Sequence, residues 1–369
     1  MTEWIECTLD KLGEIVGGAT PSTKCEDYYG GSIPWITPKD LSSFKVRYIT
    51  SGERNITEKG LASCSAQMMP KDAVLFTSRA PIGYVAIASQ SVCTNQGFKS
   101  IVVNERADPL FVYYLLKYNK DAIEAMGSGT TFKEVSGKTM RAVKVRIPLD
   151  VSYQKRIAAV LDSLDTKIEN NERINDNLEL QAQAIYSYMF IENADPAWVQ
   201  GHLSDLITVK YGKDHKKLAD GSYPVYGSGG IMRYVERPLY DKESVLIPRK
   251  GTLNNVMYVN QPFWSVDTMF YTEMRLPNVA KFVYHFVKAK DLASMNAGSA
   301  VPSMTTDILN AMEVVIPSTS ALAEFESLVD PMYRAMQENN IQSSKLSELR
   351  DALLPKLMSG EIDVSDIQL

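Results

Sequence analysis

Two loops of this chain place arginine or lysine beside glycine and small hydroxyl residues, a combination suited to contacting phosphate or a guanine edge. The first loop, residues 77–83 (Thr-Ser-Arg-Ala-Pro-Ile-Gly), contains Arg79. The second, residues 247–254 (Ile-Pro-Arg-Lys-Gly-Thr-Leu-Asn), stands at the matching point of the second half and contains Arg249 and Lys250. Arginine offers a forked donor that binds a phosphate or the O6 and N7 atoms of guanine. The pair of loops indicates two similar anion- or base-contacting sites.

Amide and carboxylate side chains follow at a second pair of matching segments. Residues 93–98 (Cys-Thr-Asn-Gln-Gly-Phe) match residues 265–270 (Ser-Val-Asp-Thr-Met-Phe). Amides can bind adenine edges, and a carboxylate can accept from cytosine. The candidate DNA-contacting side chains are Lys39, Arg79, Asn95 and Gln96 in the first half and Arg249, Lys250, Asn254 and Asn255 in the second. For each of them the alternative is a turn-forming asparagine or a solvated cation.

Sequence motifs of catalysis are missing from the chain. It contains no phosphate loop of the Gly-x-x-x-x-Gly-Lys-Ser/Thr type, no His-Glu-x-x-His and no Gly-x-Ser-x-Gly. The glycine-rich run at residues 227–230 lacks the strand and helix context of a cofactor cradle. Reduced thiols are favoured over a zinc site because the four cysteines show no paired short spacing; they are Cys7, Cys25, Cys64 and Cys93. We expect a chain that performs no chemistry itself and holds no metal or cofactor.

The elements that must position these side chains are repeated along the chain. Residues 4–12 match residues 198–206, residues 129–148 match residues 298–317, and residues 166–171 open a helix that matches one opening at residues 334–339. The sequence therefore predicts a duplication in which a globular unit and a helix each occur twice. Short β-rich runs and one helical pattern are predicted in each unit; they lie at 33–37, 73–77, 84–88, 99–103 and 109–117, and at 223–226, 244–247, 256–259 and 280–288.

Apolar residues at steps of three and four predict two long helices. The first stripe is Leu161, Leu164, Ile168, Leu178, Ala182, Ile185 and Met189, and the second is Phe325, Leu328, Met332, Ala335, Leu346, Leu349 and Leu353. Each stripe has a polar gap, filled by Asn171 and Asn175 in the first helix and by Asn339 and Gln342 in the second. Pro331 falls inside the second helix, where it would kink the helix or delay its start. The alternative is a pair of long amphipathic core helices.

The predicted fold class is α+β. Two similar mixed α/β domains are separated by two long antiparallel helices that form a coiled coil, with pseudo-two-fold internal duplication. The expected segments are a first domain at 1–150, a central helical spacer at 151–192, a second domain at 193–318 and a distal helical spacer at 319–369.

Composition limits the classes of protein and partner. The 369 residues are 45% hydrophobic and 22% charged, which suits an ordinary chain with two cores. No apolar run approaches the ~18 residues of a membrane span, and the N-terminus lacks the pattern of a signal peptide, so we expect no membrane partner and a cytoplasmic location.

The formal net charge is −5: residues 1–150 and 193–318 carry +2 and +1, whereas residues 151–192 and 319–369 carry −3 and −5. Because phosphate contacts supply most non-specific DNA affinity, partner subunits are expected to assist binding.

Several segments together resemble the specificity subunit of type I restriction-modification enzymes over nearly the whole chain. Residues 4–22, 33–41, 78–83 and 94–98 look like the first target-recognition domain of that family. Residues 223–231, 249–251 and 267–270 look like the second. Residues 154–162 and 349–361 look like its central and distal helical regions.

The resemblance implies a non-catalytic subunit that recognises DNA. Each domain would read one half of a split, asymmetric double-stranded target, with half-sites about one helical turn, ~34–36 Å, apart. The helices would dock two adenine methyltransferase subunits, and motor-nuclease (restriction) subunits would join for cleavage. S-adenosylmethionine, ATP and Mg²⁺ would be bound by those partners. The implied docking residues are Leu161, Leu164, Ile168, Leu178, Leu346, Leu349 and Leu353.

Two other classes of protein remain open from the residues alone. One is a tandem-domain scaffold, dimeric through its helices, that binds protein. The other is a stand-alone enzyme with an unrecognised site. Stable co-purification with a methyltransferase subunit would distinguish a specificity subunit from both.

Overall fold

A computed structural model describes residues 3–42, 44–129, 133–295 and 303–367. The chain divides into two compact units: unit 1 comprises residues 1–173 and 339–369, and unit 2 comprises residues 174–338. Within the matched segments at 129–148 and 298–317, residues 130–132 and 298–302 lie outside the described part. Because each long helix is cut by this division, each unit contains a part of both helices.

Unit 1 begins with a run of short strands and helices. Its strands are β1 (Trp4–Thr8), β2 (Gly13–Gly17), β3 (Tyr29–Ile33), β4 (Trp35–Ile36), β5 (Tyr48–Ile49), β6 (Val74–Phe76), β7 (Val85–Ala88), β8 (Cys93–Thr94), β9 (Lys99–Val103) and β10 (Lys144–Pro148). Its short helices are α1 (Pro38–Ser42), α2 (Glu58–Ala62), α3 (Pro109–Tyr118), α4 (Lys120–Ala125) and α5 (Gly137–Ala142). The long helix α6 (Val151–Ser187) follows and ends in a π-helical turn, Tyr188–Glu192.

Unit 2 repeats this order with different lengths. Its strands are β11 (Val199–His202), β12 (Ile207–Tyr211), β13 (Asp220–Gly227), β14 (Gly230–Val235), β15 (Ser244–Pro248), β16 (Met257–Val259), β17 (Trp264–Ser265), β18 (Met269–Met274) and β19 (Glu313–Ile316). Its short helices are α7 (Leu203–Leu206), α8 (Ala280–Lys288) and α9 (Thr306–Asn310), and the second long helix is α10 (Thr319–Ser359). Helix α10 continues through Pro331 without interruption.

The sheets show that the predicted duplication is real. The main sheet has the strand order β2-β9-β6-β7-β5 in unit 1 and β12-β18-β15-β16 in unit 2. Each unit also pairs its first strand with its last, β1 with β10 and β11 with β19, and carries a short parallel pair, β4 with β8 and β13 with β17. Unit 1 adds β5 at the sheet edge, and unit 2 adds β14 beside β13. The elements therefore recur in one topology with local additions.

The predicted elements form where local chemistry supports them. Asp108 accepts a hydrogen bond from the Phe111 amide at the start of α3, and Pro109 occupies the first turn, where no amide proton is needed. Leu9 and Leu203, at matching points of the two units, are fully buried. Their amides donate to the carbonyls of Val143 and Met312. The same apolar pattern thus anchors the start of each unit.

Asp165 joins three helices within unit 1. Its carboxylate accepts from the hydroxyl of Tyr114 on α3 at 2.8 Å and lies 2.7 Å from the guanidinium of Arg350 on α10. Nearby, Arg47 is 6% exposed and pairs with Asp162 at 3.2 Å and Glu169 at 3.4 Å. Charged partners offset only part of the cost of burying these groups, since burial raises the pKa of Asp162 and of Glu169 and Arg47 only opposes that rise. These pairs fix α6 against the globular part of its unit.

Lys281 makes the corresponding connection within unit 2. Its ammonium, on α8, is 2% exposed and faces Glu326, Asp330 at 3.2 Å and Glu243 at 3.6 Å. Burial lowers the pKa of Lys281, and the three carboxylates more than compensate, so its pKa is raised. The neighbouring His285 is fully buried on the same helix.

The helix pair is antiparallel within each unit. In unit 1, Asn171 contacts Gln342 while Asp165, earlier on α6, contacts Arg350, which is later on α10. In unit 2, Asn175 donates to the Met336 carbonyl at 3.4 Å, while Tyr186, later on α6, packs against Phe325, earlier on α10, with 6.2 Å between the ring centres. Asn171 is fully buried, so its polar position is a packed part of the seam and not a solvent-exposed gap.

Candidate nucleic-acid interface

The parallel strand pair β4–β8 brings four loops of unit 1 together. The Asn95 amide donates to the Ile36 carbonyl at 3.0 Å, and the Ala19 amide donates to the Thr94 carbonyl at 3.0 Å. The Ser78 amide donates to the Gly97 carbonyl at 2.7 Å. The loops after β2, β4, β6 and β8 therefore meet at one end of this pair.

The predicted cations of unit 1 lie on these loops, each beside a carboxylate. Lys39 is the second residue of α1, and its ammonium is 2.6 Å from Glu53, whose hydrogen bond raises the pKa of Lys39. The Nε of Arg79 is 3.0 Å from Glu134. Both cationic side chains remain substantially exposed, at 77% and 45%. To contact a ligand, each cation must break its ion pair with the carboxylate or share the carboxylate with the ligand. Ion pairs at the surface are weak, so this costs little.

The predicted amides of unit 1 take part in the loop structure. The side-chain oxygen of Asn95 accepts from the Gly97 amide at 2.9 Å, the geometry of a turn-forming asparagine. Gln96 is exposed, and its side-chain oxygen accepts from the Thr20 hydroxyl. Gln96 therefore projects from the turn that Asn95 stabilises.

Lys99 and Glu134 belong to the same cluster but were missed from sequence. The ammonium of Lys99 is 3.9 Å from Glu134, which also holds Arg79. Burial lowers the pKa of Lys99, an effect that Glu134 opposes and Arg79 reinforces. Lys99 lies in a predicted strand and Glu134 more than thirty residues later, so no local pattern marks them as neighbours.

The parallel strand pair β13–β17 builds the same loop arrangement in unit 2. The Val266 amide donates to the Tyr226 carbonyl at 3.0 Å, and the Lys213 amide donates to the Ser265 carbonyl at 2.8 Å. The Arg249 amide donates to the Thr268 carbonyl at 2.9 Å, as the Ser78 amide does to Gly97 in unit 1.

These backbone bonds set which residues of the two units are equivalent, and they shift the predicted match of residues 93–98 with residues 265–270 by one, so that Gln96 corresponds to Asp267. Ser78 is equivalent to Arg249, so Arg79 is equivalent to Lys250. Two isolated β-bridges agree, because Arg79 pairs with Glu134 and Lys250 with Ser303. The sequence had matched the loops only as segments, residues 77–83 with residues 247–254, and the hydrogen-bond register now places Lys250 at the position of Arg79.

A tryptophan fixes the loop after the first main-sheet strand in each unit. The indole of Trp35 on β4 donates to the Ala19 carbonyl at 3.0 Å. The indole of Trp264 on β17 donates to the Lys213 carbonyl at 2.8 Å. Equivalent loops are therefore held by a tryptophan in both units, although the tryptophan lies on the first strand of the parallel pair in unit 1 and on the second strand in unit 2.

The two predicted cations of unit 2 differ in how far contacts within the unit hold their side chains. Arg249 donates to the Asp267 carbonyl at 3.2 Å and lies over the Tyr211 ring, 5.4 Å from its centre. Lys250 is exposed. Of the predicted cations in this unit, Lys250 is therefore the one more open to a ligand.

Asn254 and Asn255 use their amides within unit 2. Asn254 donates to Asp291 at 3.0 Å and accepts from the Ala293 amide at 3.0 Å. Asn255 donates to the Ser228 carbonyl at 2.8 Å. Both asparagines hold the loop in place.

The predicted docking residues differ in accessibility. Leu161 is fully buried in the core of unit 1, so a partner cannot reach it. Leu349 is 48% exposed. Five are half-buried: Leu164, Ile168, Leu178, Leu346 and Leu353.

The described residues show no arrangement for a metal ion or a membrane span. No group of three or more histidine, cysteine, aspartate or glutamate side chains that could hold a metal occurs among them. Within the same ranges, the helices are too polar or too short to cross a bilayer.

Comparison with known proteins decides the family. A family model described as "Type I restriction modification DNA specificity domain" matches residues 1–180 and again residues 197–339. The chain belongs to the type I restriction-modification DNA specificity family. The two matches fall on the two repeated units, as the duplication requires.

Relatives of the specificity family match the chain along its length. The type I restriction enzyme MjaIX specificity subunit of Methanocaldococcus jannaschii is 31% identical, covering 99% of this chain and 95% of that protein. The EcoprrI specificity subunit of Escherichia coli is 22% identical over 89% of this chain and 86% of its own length. These relatives are specificity subunits, the non-catalytic DNA-recognition components of their enzymes, and this chain is a component of the same kind.

A solved structure supports the fold. The type I restriction-modification S subunit from Mycoplasma genitalium aligns with a TM-score of 0.61 at 18% identity, covering 96% of each chain. At this identity the likeness concerns the architecture, which is that of an S subunit with two target-recognition domains.

Proposed function

We propose that this specificity subunit reads a two-part double-stranded DNA target, with one half-site bound by each unit. The observation that carries the proposal is the repeated loop arrangement: equivalent backbone bonds present Arg79 in unit 1 and Lys250 in unit 2. Arginine can bind guanine with two bonds, whereas lysine offers a single point of charge. The two half-sites should therefore differ in sequence.

A second pair of equivalent loop residues also differs between the units, which supports half-sites of different sequence. Gln96 of unit 1 is equivalent to Asp267 of unit 2, because Gly97 and Thr268 accept matching backbone bonds. An amide can both donate to and accept from a base, and it suits adenine, whereas a carboxylate only accepts and suits cytosine. Equivalent positions thus favour different bases.

The long helices are proposed to dock two adenine methyltransferase subunits, with motor-nuclease subunits joining for cleavage. Both helices leave large apolar side chains in solvent, as a binding surface requires. The most exposed on α6 are Ile174 and Leu180, followed by Tyr188 in the π-helical turn, and those on α10 are Leu328, Ile341 and Leu349. S-adenosylmethionine, ATP and Mg²⁺ would be bound by the partner subunits.

Mapping methylated adenines in cells that carry the complete system tests the reading of DNA. Arg79→Ala should relax one half of the target and Lys250→Ala the other, each costing roughly 1–3 kcal/mol of discrimination if the side chain contacts a base. Lys144→Ala, on the exposed edge strand β10, is the control and should leave both halves intact. If both loop variants methylate the wild-type sequence only, the roles given to these loops are wrong.

Co-purification tests the docking surface. Leu349→Glu and Leu180→Glu should each reduce recovery of the methyltransferase subunit, because burying a carboxylate in an apolar interface is costly. Val199→Glu, on β11 at a residue 69% exposed against 67% for Leu180, is the matched control. Full recovery with both helix variants would show that the partner binds elsewhere.

A further inference from the structure

Unit 2 carries a hairpin at the place where unit 1 carries helix α1. In unit 1 the chain leaves the parallel strand β4 and enters α1, which contains Lys39. In unit 2 the equivalent strand β13 turns back through residues 228–229 into β14, with Gly227 paired to Gly230 and Tyr226 to Ile231. The same point of the fold therefore presents a helix in one unit and a two-stranded ribbon in the other.

The hairpin exposes apolar side chains beside its turn. Ile231 is 49% exposed and Met232 is 60% exposed, and they lie where the strand pairing shifts by one residue, between the pairs Tyr226–Ile231 and Val225–Arg233. Tyr234 is 50% exposed. At the turn, a Cβ added to Gly229 or Gly230 would meet no atom within 4 Å, so these two residues have open space beside them. The ribbon is shaped to enter a groove.

The hairpin tip adjoins the loop that carries Lys250. The Asn255 side chain donates to the Ser228 carbonyl at 2.8 Å. A Cβ added to Gly251 would lie 2.6 Å from the Ser228 hydroxyl, so the turn and the loop are in direct contact. The apolar surface is therefore continuous with the candidate DNA interface of unit 2.

A basic loop lies on the other side of the hairpin. Arg233 on β14 donates to the Leu218 carbonyl at 2.9 Å and pairs with Asp220 at 2.8 Å. These bonds hold the loop after β12 against the hairpin. That loop exposes three lysines, Lys213, Lys216 and Lys217. Positive charge flanking an apolar ribbon complements a DNA groove bordered by phosphates.

We propose that the β13–β14 hairpin enters a groove of the second half-site, where Ile231 and Met232 contact base edges and the flanking lysines contact phosphates. The B-DNA major groove admits a two-stranded β-ribbon, and its thymine methyl groups offer an apolar contact. Unit 1 would use the charged α1 at the equivalent position. This inference rests on the proposed function and adds to it the element that distinguishes the second half-site from the first.

The test uses the full chain in complex with its methyltransferase subunit. Ile231→Ser with Met232→Ser should weaken binding to the wild-type target about tenfold and relax the second half-site alone, since a good base contact is worth ~1–3 kcal/mol. Replacing thymines of the second half-site with deoxyuridine should weaken the wild-type complex several-fold at one position or more, and should leave the double variant unchanged. Val199→Ser, at a residue 69% exposed on β11, is the control.

A second variant measures the flanking charge. Lys216→Gln with Lys217→Gln should weaken binding to all sequences alike and flatten the plot of log affinity against log salt by about 0.9 for each phosphate that is no longer neutralised. An unchanged salt slope would overturn the role given to the lysines.

The outcomes separate this inference from the proposed function. If the hairpin variant reads the second half-site as wild type does while Lys250→Ala relaxes it, the hairpin proposal is overturned and the proposed function stands. If the hairpin variant loses the methyltransferase subunit instead of specificity, the ribbon binds protein and the proposal is again overturned. If Arg79→Ala, Lys250→Ala and the hairpin variant all leave the methylated sequence unchanged, the proposed function itself has failed.

Discussion

Glu134 is a carboxylate placed among the cations of unit 1. It lies 3.0 Å from Arg79 and 3.9 Å from Lys99, and its side chain is 36% exposed. A carboxylate at this position competes with a phosphate for both cations. We therefore expect it to limit indiscriminate binding to DNA.

We predict that Glu134→Gln tightens binding of unrelated duplex DNA. The gain should be roughly two- to fivefold, the range expected when a partly exposed ion pair is removed, and the salt slope should steepen by about 0.9. Fluorescence anisotropy across a salt series measures both. Glu6→Gln, which removes a carboxylate paired with Lys144 on the β1–β10 edge, is the control. Weaker binding would instead show that Glu134 orients Arg79 for contact.

His285 is held in its neutral form inside unit 2. Its Nδ1 lies 2.8 Å from the Gln183 side-chain oxygen and its Nε2 lies 2.9 Å from the Tyr333 hydroxyl. A neutral ring that donates from Nδ1 and accepts at Nε2 satisfies both partners. Burial lowers the pKa of His285 to about 4.

We predict that unit 2 loses stability as the pH falls from about 6.5 to about 4. In this window the unfolded state binds a proton that the folded state excludes, so the free energy of unfolding decreases with falling pH, by up to ~3 kcal/mol. Thermal unfolding between pH 7 and pH 5 measures the effect, and His285→Gln should flatten it. His202→Gln, at an exposed residue, should not. Equal pH dependence in both variants would contradict the prediction.

At the scale of elements, the helix pair has a polar centre in unit 1. The side-chain nitrogen of the buried Asn171 donates to Gln342 at 2.9 Å and to Ser343 at 3.2 Å, and its oxygen has no hydrogen-bond partner among the described residues. The nitrogen also lies 3.4 Å from the Asn339 carbonyl. A buried amide satisfied on one side only stabilises less than an apolar residue would, but it accepts a single alignment of the helices.

We predict that Asn171→Leu, alone or with Asn339→Leu, stabilises the chain while reducing the uniformity of its assembly. A gain of about 1 kcal/mol would raise Tm by roughly 2–4 °C. Calorimetry measures the stability, and native mass spectrometry of the complex measures assembly. Asn177→Leu, on the exposed side of α6, is the control. Unchanged assembly would count against a role in register.

Periodic elements could be predicted from the sequence because their patterns are local. The helical pattern at 109–117 became α3, and the run at 99–103 became β9 with the predicted bounds. The two-residue strands β4 and β8 are too short for a period, and only their backbone bonds define them.

The register of the loops and the pairing of distant residues could not be predicted, because no local pattern in the sequence determines them. The sequence matched residues 77–83 with residues 247–254 as segments, but a hydrogen bond to Gly97 or Thr268 decides which residue of each loop occupies the equivalent position. The clustering of Glu134 with Lys99 depends on how distant strands meet. Of the candidate site, the loops and their cations could be found from the sequence, whereas the partners of those cations required the fold.

At the scale of the whole molecule, charge is unevenly distributed along the chain. The net charge of −5 arises from residues 151–192 and 319–369. The segments that carry the candidate DNA-contacting loops, residues 1–150 and 193–318, are mildly basic. A DNA-binding chain with this balance gains little from phosphate attraction alone.

We predict that the isolated chain binds unrelated duplex DNA weakly, with a Kd above ~10⁻⁶ M at physiological salt. Adding the methyltransferase subunit should tighten binding and steepen the salt slope, because the partner supplies further phosphate contacts. Titrations of the chain alone and of the complex at matched salt measure this. A steep slope for the chain alone would show that its own loops carry the electrostatic affinity.

The short parallel strand pair of each unit has a consequence for how such proteins change their targets. Its backbone bonds are the same whether α1 or the β13–β14 hairpin is attached to it. The junction therefore accepts a helix or a hairpin, provided that each supplies a buried apolar side chain to its unit, as α1 does with Leu41 and β14 with Val235. Exchanging this element together with its anchoring side chain would change the surface offered to DNA while the pairing of the two short strands is kept.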